Sequence, residues 1–209
     1  MMTNEKIKEA KSLFYQKQYK KALDIFVKYD ECFYESGLCA LLLKDENAAF
    51  NFWNKNSNKC PACAFGLCVL ECINLKQERI PTFFQTRAQL EIYINLFLEN
   101  NYIDWAENLI GYCDMFYRSN PESYKFIARA LFANGYFDMA IFFANKTLRL
   151  FYCDPEAFLI LAQCEFLLGN LAQALDTVNR VNSMVSDYFP AKVFRMVILD
   201  EINKKNNKK

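Results

Sequence analysis

A period of 34 residues runs through the middle of the chain and restricts its fold more tightly than any other feature. Asn120-Pro121-Glu122 returns as Asp154-Pro155-Glu156, and Asn134-Gly135 returns, with its glycine in step, as Gly169-Asn170. Pro121 to Pro155, Gly135 to Gly169 and Ala140 to Ala174 each span 34 residues, and Ala106 to Ala140 carries the period backwards. A repeat of this length, with small residues held in phase, describes stacked helical hairpins. Each hairpin can bury its apolar face only against the next one.

The punctuation of the repeat has physical reasons. Asn120 and Asp154 are residue types that cap the free amides of a helix, and the proline after each suits a first helical position, where its missing N–H costs nothing. Gly135 and Gly169 fall just past a helix, where the chain turns through positive φ. Ala140 and Ala174 fall in the second helix of each hairpin, where a larger side chain would push the pair apart.

These residues carry a resemblance. The stretch resembles the tetratricopeptide repeat (TPR), with family-type residues at Tyr124, Ala128, Leu131, Gly135, Ala140 and Leu150, and in the next unit at Phe158, Ala162, Gly169 and Ala174. The preceding unit matches at Leu90, Phe97 and Ala106 but has Ile94 where the family prefers a small residue. Pro155 comes three residues later than the family's inter-repeat proline. The resemblance is good over about 87–184. It implies an all-α fold, a right-handed superhelix of stacked antiparallel hairpins (a TPR-like α-solenoid) with about 12 helices.

Helical periodicity fills in the rest. Ile7, Ala10, Leu13 and Phe14 mark a helix over 4–17, and Ala22, Leu23, Ile25 and Phe26 mark one over 19–29. Further helices are expected over 31–44 and 46–56, with Gly37, Ala49 and Trp53 at repeat-like positions, and over 61–77, opened by Pro61. Arg79-Ile80-Pro81 interrupts the pattern, and Thr82 with Gln85 forms a capping box for a helix over 82–99. Helices over 102–116, 121–134, 137–150, 155–168 and 171–184 follow. A last helix over 188–204 has Phe189, Val193, Val197 and Ile202 on one face. The expected organisation is 4–77 as divergent hairpins with a covering helix, 82–204 as three hairpins with a C-terminal capping helix, and 205–209 as a solvated tail.

Composition narrows the function. A net charge of +1 gives no general attraction to nucleic acid or an anionic membrane, and the longest uncharged apolar run, Cys60 to Leu70, is too short to span one. The charged first twenty residues lack a signal-peptide core, so the nine cysteines read as reduced cytoplasmic thiols. With no histidine in the chain, triads and imidazole acid–base chemistry are excluded, and no glycine-rich phosphate loop is present. The expectation is a non-enzyme without a cofactor. The contrasting class is a cysteine-based metal or redox protein centred on Cys60 and Cys63, with Cys32 or Cys39 recruited to complete a site. On one straight helix Cys68 and Cys72 share a face while Cys63 points away from both, so these three cannot share an ion.

What remains is a surface. In the TPR family the first helix of each hairpin lines a concave groove. Carried across by phase, the resemblance implies Ala88, Glu91, Asn95 and Leu98 from one unit, Glu122, Lys125, Arg129 and Phe132 from the next, and Glu156, Leu159, Gln163 and Phe166 from the last. Leu98, Phe132, Leu159 and Phe166 form an apolar line flanked by Lys125 and Arg129. The line suits an amphipathic helix or apolar peptide, with an acidic residue set by the two bases. The same four apolar residues would also serve to pack against a neighbouring hairpin or the last helix. The resemblance does not extend to the clamp for chaperone C-terminal tails, because Glu91 and Glu122 occupy lysine positions of that clamp and Phe126 an arginine position, with Asn95 alone agreeing. The implied partner is a protein or peptide, with self-association into a homodimer as a further possibility.

Overall fold

The computed structural model describes residues 2–207, which form thirteen α-helices and one 3-10 turn. They are α1 (Met2–Tyr15), α2 (Tyr19–Phe26), α3 (Phe33–Leu42), α4 (Glu46–Asn54), α5 (Pro61–Ile73), α6 (Phe83–Glu99), α7 (Ile103–Gly111), α8 (Cys113–Ser119), α9 (Ser123–Ala133), α10 (Phe137–Leu150), α11 (Pro155–Leu167), α12 (Leu171–Met184) and α13 (Phe189–Asn206). The 3-10 turn is Asp30–Cys32. The fold is all-α, with helices packed as sequential hairpins. The chain divides into two compact units, Met1–Gln89 with Asn100–Asn120 and Leu90–Glu99 with Pro121–Lys209, so α6 contributes residues to both.

In the first unit α1 pairs with α2 and α3 with α4, while α5 packs on α3, α4 and α7. Ala10, Ala22, Phe26, Cys32 and Cys39 form the core of the first hairpin, with Ile7, Leu13, Phe14, Leu23 and Ile25 against it. A second core centres on Trp53, which is fully buried. Its indole N–H donates to the Tyr34 carbonyl at 3.2 Å. Gly37 of α3 and Gly66 of α5 border the ring, and a Cβ on Gly66 would lie 2.7 Å from Trp53 Cδ2. Two glycines thus make a slot for one indole, and that close approach is why α3 and α5 need them.

In the second unit α9 pairs with α10 and α11 with α12, and α10 stacks on α11. Ala128, Ala140, Ala162 and Ala174 are all fully buried, as helices in close contact require. α13 covers the last hairpin, with Ala191 and Ile198 buried against Phe158, Val178 and Val181, and with Phe194 and Ile202 packed beside them.

Several sequence expectations need correction. The single helix over 102–116 is two, because the chain leaves helical geometry after Gly111, at Tyr112 (φ −89, ψ 19). Asn120 does not cap α9. It is fully buried, ends α8 and donates from its amide to the Phe83 carbonyl at 3.3 Å, so α9 starts two residues past Pro121. Asp154 and Pro155 behave as the repeat predicts, Asp154 Oδ1 accepting from the Ala157 amide at 2.9 Å. On α13 the buried stripe is Ala191, Phe194, Ile198 and Ile202. Phe189, Val193 and Val197 are exposed. α13 also runs to Asn206, and Lys208 and Lys209 of the expected tail lie outside the described residues.

The capping box at α6 is present, with the Thr82 amide donating to Gln85 Oε1 at 2.8 Å and the Gln85 amide to Thr82 Oγ1 at 3.3 Å. Gly135 and Gly169 have φ of 82° and 83°. The earlier turns use the same left-handed conformation without glycine, at Lys17, Lys44, Leu75 and Asn101.

Candidate functional site

Apart from Ala88, the residues carried over by repeat phase lie in the second unit, on the last half of α6, on α9 with Glu122 just before it, and on α11. Arg129 stands at their centre. Its Nε donates to Glu91 Oε2 at 3.0 Å and one Nη to Glu156 Oε1 at 2.7 Å, while the other Nη also pairs with Glu91. The guanidinium also lies over the Phe126 ring, 5.2 Å from its centre. Three helices are therefore tied together through one side chain, at positions 38 and 27 residues from it in sequence.

Lys125, one turn earlier on α9, is buried to 7% exposure and extends the network. Its ammonium donates to Glu122 Oε1 at 2.9 Å and Asp154 Oδ2 at 2.8 Å, with Glu156 Oε2 at 3.5 Å. Burial pushes its pKa down, but the hydrogen bonds to Asp154 and Glu122 outweigh it, and the net shift is upward. Arg129 follows the same pattern, with burial opposed by bonds to Glu156 and Glu91. Both cations are thus fully engaged inside the unit. Four carboxylates (Glu91, Glu122, Asp154, Glu156) against two cations leave a formal surplus of two negative charges. The expected basic pair for an acidic partner residue is an internal network with an acidic balance.

The remaining positions are spread along the same helices. Asn95 Oδ1 accepts from the Asn134 amide at 2.8 Å, so α6 is also tied to the end of α9. Ala88 falls in the first unit, and no relation to the others follows. Leu98, Phe132, Leu159 and Gln163 are half-buried. The Phe132 ring is tilted against Phe137, with centres 6.1 Å apart, and Phe166 meets Phe194 of α13 edge-on at 5.5 Å. Phe166 also packs against the core beneath α13.

Sequence reading missed two contributors. Asp154 was legible as a cap, but its pairing with Lys125 depends on the stacking of one hairpin on the next. Tyr188 lies in the field of Glu156 and Asp154, and its hydroxyl is pushed up first by burial and then by those carboxylates. No local motif marks either role.

The cysteines do different work. Cys60 Sγ accepts from the Cys63 amide at 3.2 Å and so caps α5, and the Cys63 thiol is pushed well up by burial and by its hydrogen bond with Cys60. That is opposite to the depressed pKa of a redox nucleophile. Burial likewise raises Cys32 to about 11 and Cys39 and Cys164 to about 12. Among the described residues no three His, Cys, Asp or Glu side chains converge where a metal ion could sit, so neither Cys32 nor Cys39 completes a site with Cys60 and Cys63. No helix among them is long and apolar enough to cross a membrane.

No protein-family model matches the chain, and no curated protein matches it. Solved structures do. The C-terminal part of a TPR repeat-containing protein from Cytophaga hutchinsonii is 16% identical, covers 92% of this chain and 69% of its own, and has a TM-score of 0.45. The P58(IPK) TPR domain is 16% identical over 100% of this chain and 67% of its own, with a TM-score of 0.42. A TPR protein from Thermus thermophilus is 16% identical over 94% of this chain and 98% of its own, with a TM-score of 0.38.

Proposed function

We propose that the chain is a non-catalytic protein-interaction scaffold that receives a peptide or amphipathic helix on the face shared by the last half of α6, α9 and α11. One observation carries this reading. Glu91, Arg129 and Glu156, assigned to one face by repeat phase alone, meet side chain to side chain across three helices. An ordered polar face with half-buried Leu98, Phe132 and Leu159 beside it offers an apolar track and fixed charges, which is what helix-in-groove recognition uses. The acidic balance of the network matches a partner whose apolar stripe is flanked by lysine or arginine. Reduced cysteines, six of them buried, suit a cytoplasmic setting, and neither nucleic acid nor membrane is an expected partner.

The test is a pull-down from native lysate comparing wild type with Phe132→Asp, after circular dichroism and melting show that the variant remains folded. A specific partner retained by wild type and lost by the variant supports the groove. Equal retention moves the binding surface elsewhere. A homo-oligomeric reading is favoured by one feature, the exposed Phe189, Val193, Met196 and Val197 on α13. Light scattering separates the two, since a stable dimer dispersed by Met196→Glu would support self-association.

A further inference from the structure

A cavity of about 500 Å³ opens in the first unit, where the turn between α3 and α4 meets the turn leading into α7. The volume lies within the range of ligand sites. Lys44 and Asn101, the positive-φ residues of those two turns, both line it. Glu46 joins them from the start of α4, and Tyr102, Asp104 and Trp105 from the start of α7.

One aromatic ring is fixed in this cavity before any guest arrives. The Tyr102 hydroxyl donates to the Leu42 carbonyl at 2.7 Å, and its ring meets Trp105 in a T-shaped contact with centres 4.8 Å apart. Over the Tyr102 ring lies the Lys44 ammonium, 5.1 Å from the ring centre. Lys44 is exposed and forms no ion pair among the described residues, and neither Glu46 nor Asp104 forms one there. Glu46 is held in place by the Asn74 amide, which donates to its Oε2 at 2.6 Å. The ring therefore already carries a cation, supplied by the chain itself, while two carboxylates of the same cavity have no ionic partner. Two carboxylates against one ammonium leave a formal surplus of one negative charge.

We propose that this cavity receives an arginine side chain of a peptide partner, its guanidinium displacing Lys44 from the Tyr102 ring and pairing with Asp104 and Glu46. A guanidinium suits both demands at once, because its plane stacks on an aromatic face while its edge forks a carboxylate. Lys44 meets only the first demand, and its exposed stem lets it swing aside into water. An anion is the less suitable guest, although α4 and α7 both begin at the cavity. Glu46 and Asp104 stand in the first turns of those helices, and Asp45 accepts from the Ala48 amide at 2.9 Å, so the chain's own carboxylates already meet the positive helix ends. The site is independent of the groove reading, since every residue lining it belongs to the first unit.

The experiment titrates the isotope-labelled full chain with Nα-acetylargininamide and follows backbone amides and tryptophan indole N–H signals by NMR. Trp105 reports on the cavity, and Trp53, fully buried outside it, is the internal control. Nα-acetylnorleucinamide, which keeps an apolar stem without the charge, and inorganic phosphate are titrated in parallel. The expected result is a saturable shift of the Trp105 indole and of amides 44–46 and 101–105, with the Trp53 indole unmoved. Affinity for the arginine probe falls about tenfold in Asp104→Asn, rises about threefold or more in Lys44→Ala, and weakens with salt. Phe132→Asp leaves it unchanged. Asp104 is exposed, so Asp104→Asn decides even where Glu46→Gln disturbs the bond to Asn74. The proposal is overturned by the absence of a saturable shift at Trp105, by equal affinity for the norleucine probe, or by unchanged binding in folded Asp104→Asn. Lys44→Ala that binds no tighter than wild type overturns it too, as does phosphate saturating the same signals more tightly than the arginine probe.

Discussion

Replacing Gly37 with alanine should destabilise the first unit through a single contact. A Cβ built at Gly37 would sit 2.6 Å from Trp53 Cδ1 and closer still to Nε1. Ordinary carbon contacts need about 3.5–4.0 Å, so the indole must retreat by about 1 Å or more. It has little room to do so, because Gly66 borders the ring as well, and its own Cβ would stand 2.7 Å from Trp53 Cδ2. Overpacking of a rigid core group costs about 3 kcal/mol at the upper end of the usual range. Displacing the indole also strains its 3.2 Å hydrogen bond to the Tyr34 carbonyl, which adds about 1 kcal/mol. Alanine is favoured over glycine within a helix by about 1 kcal/mol, which offsets part of the loss. The net cost is about 3 kcal/mol, a fall in Tm of about 6–12 °C for a chain of this size. Thermal melts by circular dichroism read this directly, with Gly111→Ala as the control. No atom stands within 4 Å of a Cβ at Gly111, so that variant should melt at or slightly above wild type. A Gly37→Ala protein as stable as wild type would refute the slot, since helix propensity would then be the only effect present. The cost should also shrink in a Trp53→Leu background, where the clashing ring is gone.

Further outcomes follow from other parts of the fold. Ala140→Trp and Ala174→Trp place an indole at fully buried positions between helices, and each should cost about 3 kcal/mol or more; unchanged melts would show the repeat register to be wrong. Glu165 accepts from the Thr177 hydroxyl at 2.8 Å, yet burial raises its pKa. A raised carboxyl contributes stability below its unfolded pKa and loses it as pH rises through the folded value. Glu165→Gln keeps an acceptor for Thr177 and removes that loss, so it should raise Tm at pH 7 with no gain near about pH 4; a gain equal at both pH values would contradict the sign. A thiol-reagent titration should find one fast group, Cys153, with Cys60 and Cys113 slower and the six buried thiols silent until denaturant is added; rapid modification of Cys63 would reopen a reactive-cysteine reading.

Much of the second unit was legible because its signals are local. Asp154-Pro155 caps a helix, Gly169 ends one, and Ala140 and Ala174 allow close contact, each readable from a few neighbouring residues. The hairpins of the first unit were legible from helical periodicity alone and not from turn residues, because Lys17, Lys44 and Leu75 take the left-handed turn positions that glycine holds later. Asn120-Pro121 misled for the opposite reason. It has the composition of a helix start, but burial of Asn120 and its bond to Phe83 draw it into a different role. The face of α13 was misjudged because Phe189 and Val193 are more hydrophobic than Ala191, whereas close packing on α12 selects the small residue. In the candidate groove, phase assigned Glu91, Arg129 and Glu156 to a common face but could not say that the charges would satisfy one another. That depends on inter-helix distances that the order of residues along the chain does not set.

The central claim is that a partner lies along α9 and α11. Its most direct measurement is photo-crosslinking with benzoylphenylalanine placed singly at Gln163, in the middle of α11 and half-buried on the groove face, and at Met139 of α10, 47% exposed and outside it. Irradiated in native lysate, the full chain labelled at Gln163 should give one discrete adduct that Phe132→Asp abolishes, while the Met139 position gives none. An adduct of equal yield from Met139, or one from Gln163 that survives Phe132→Asp, would contradict the account.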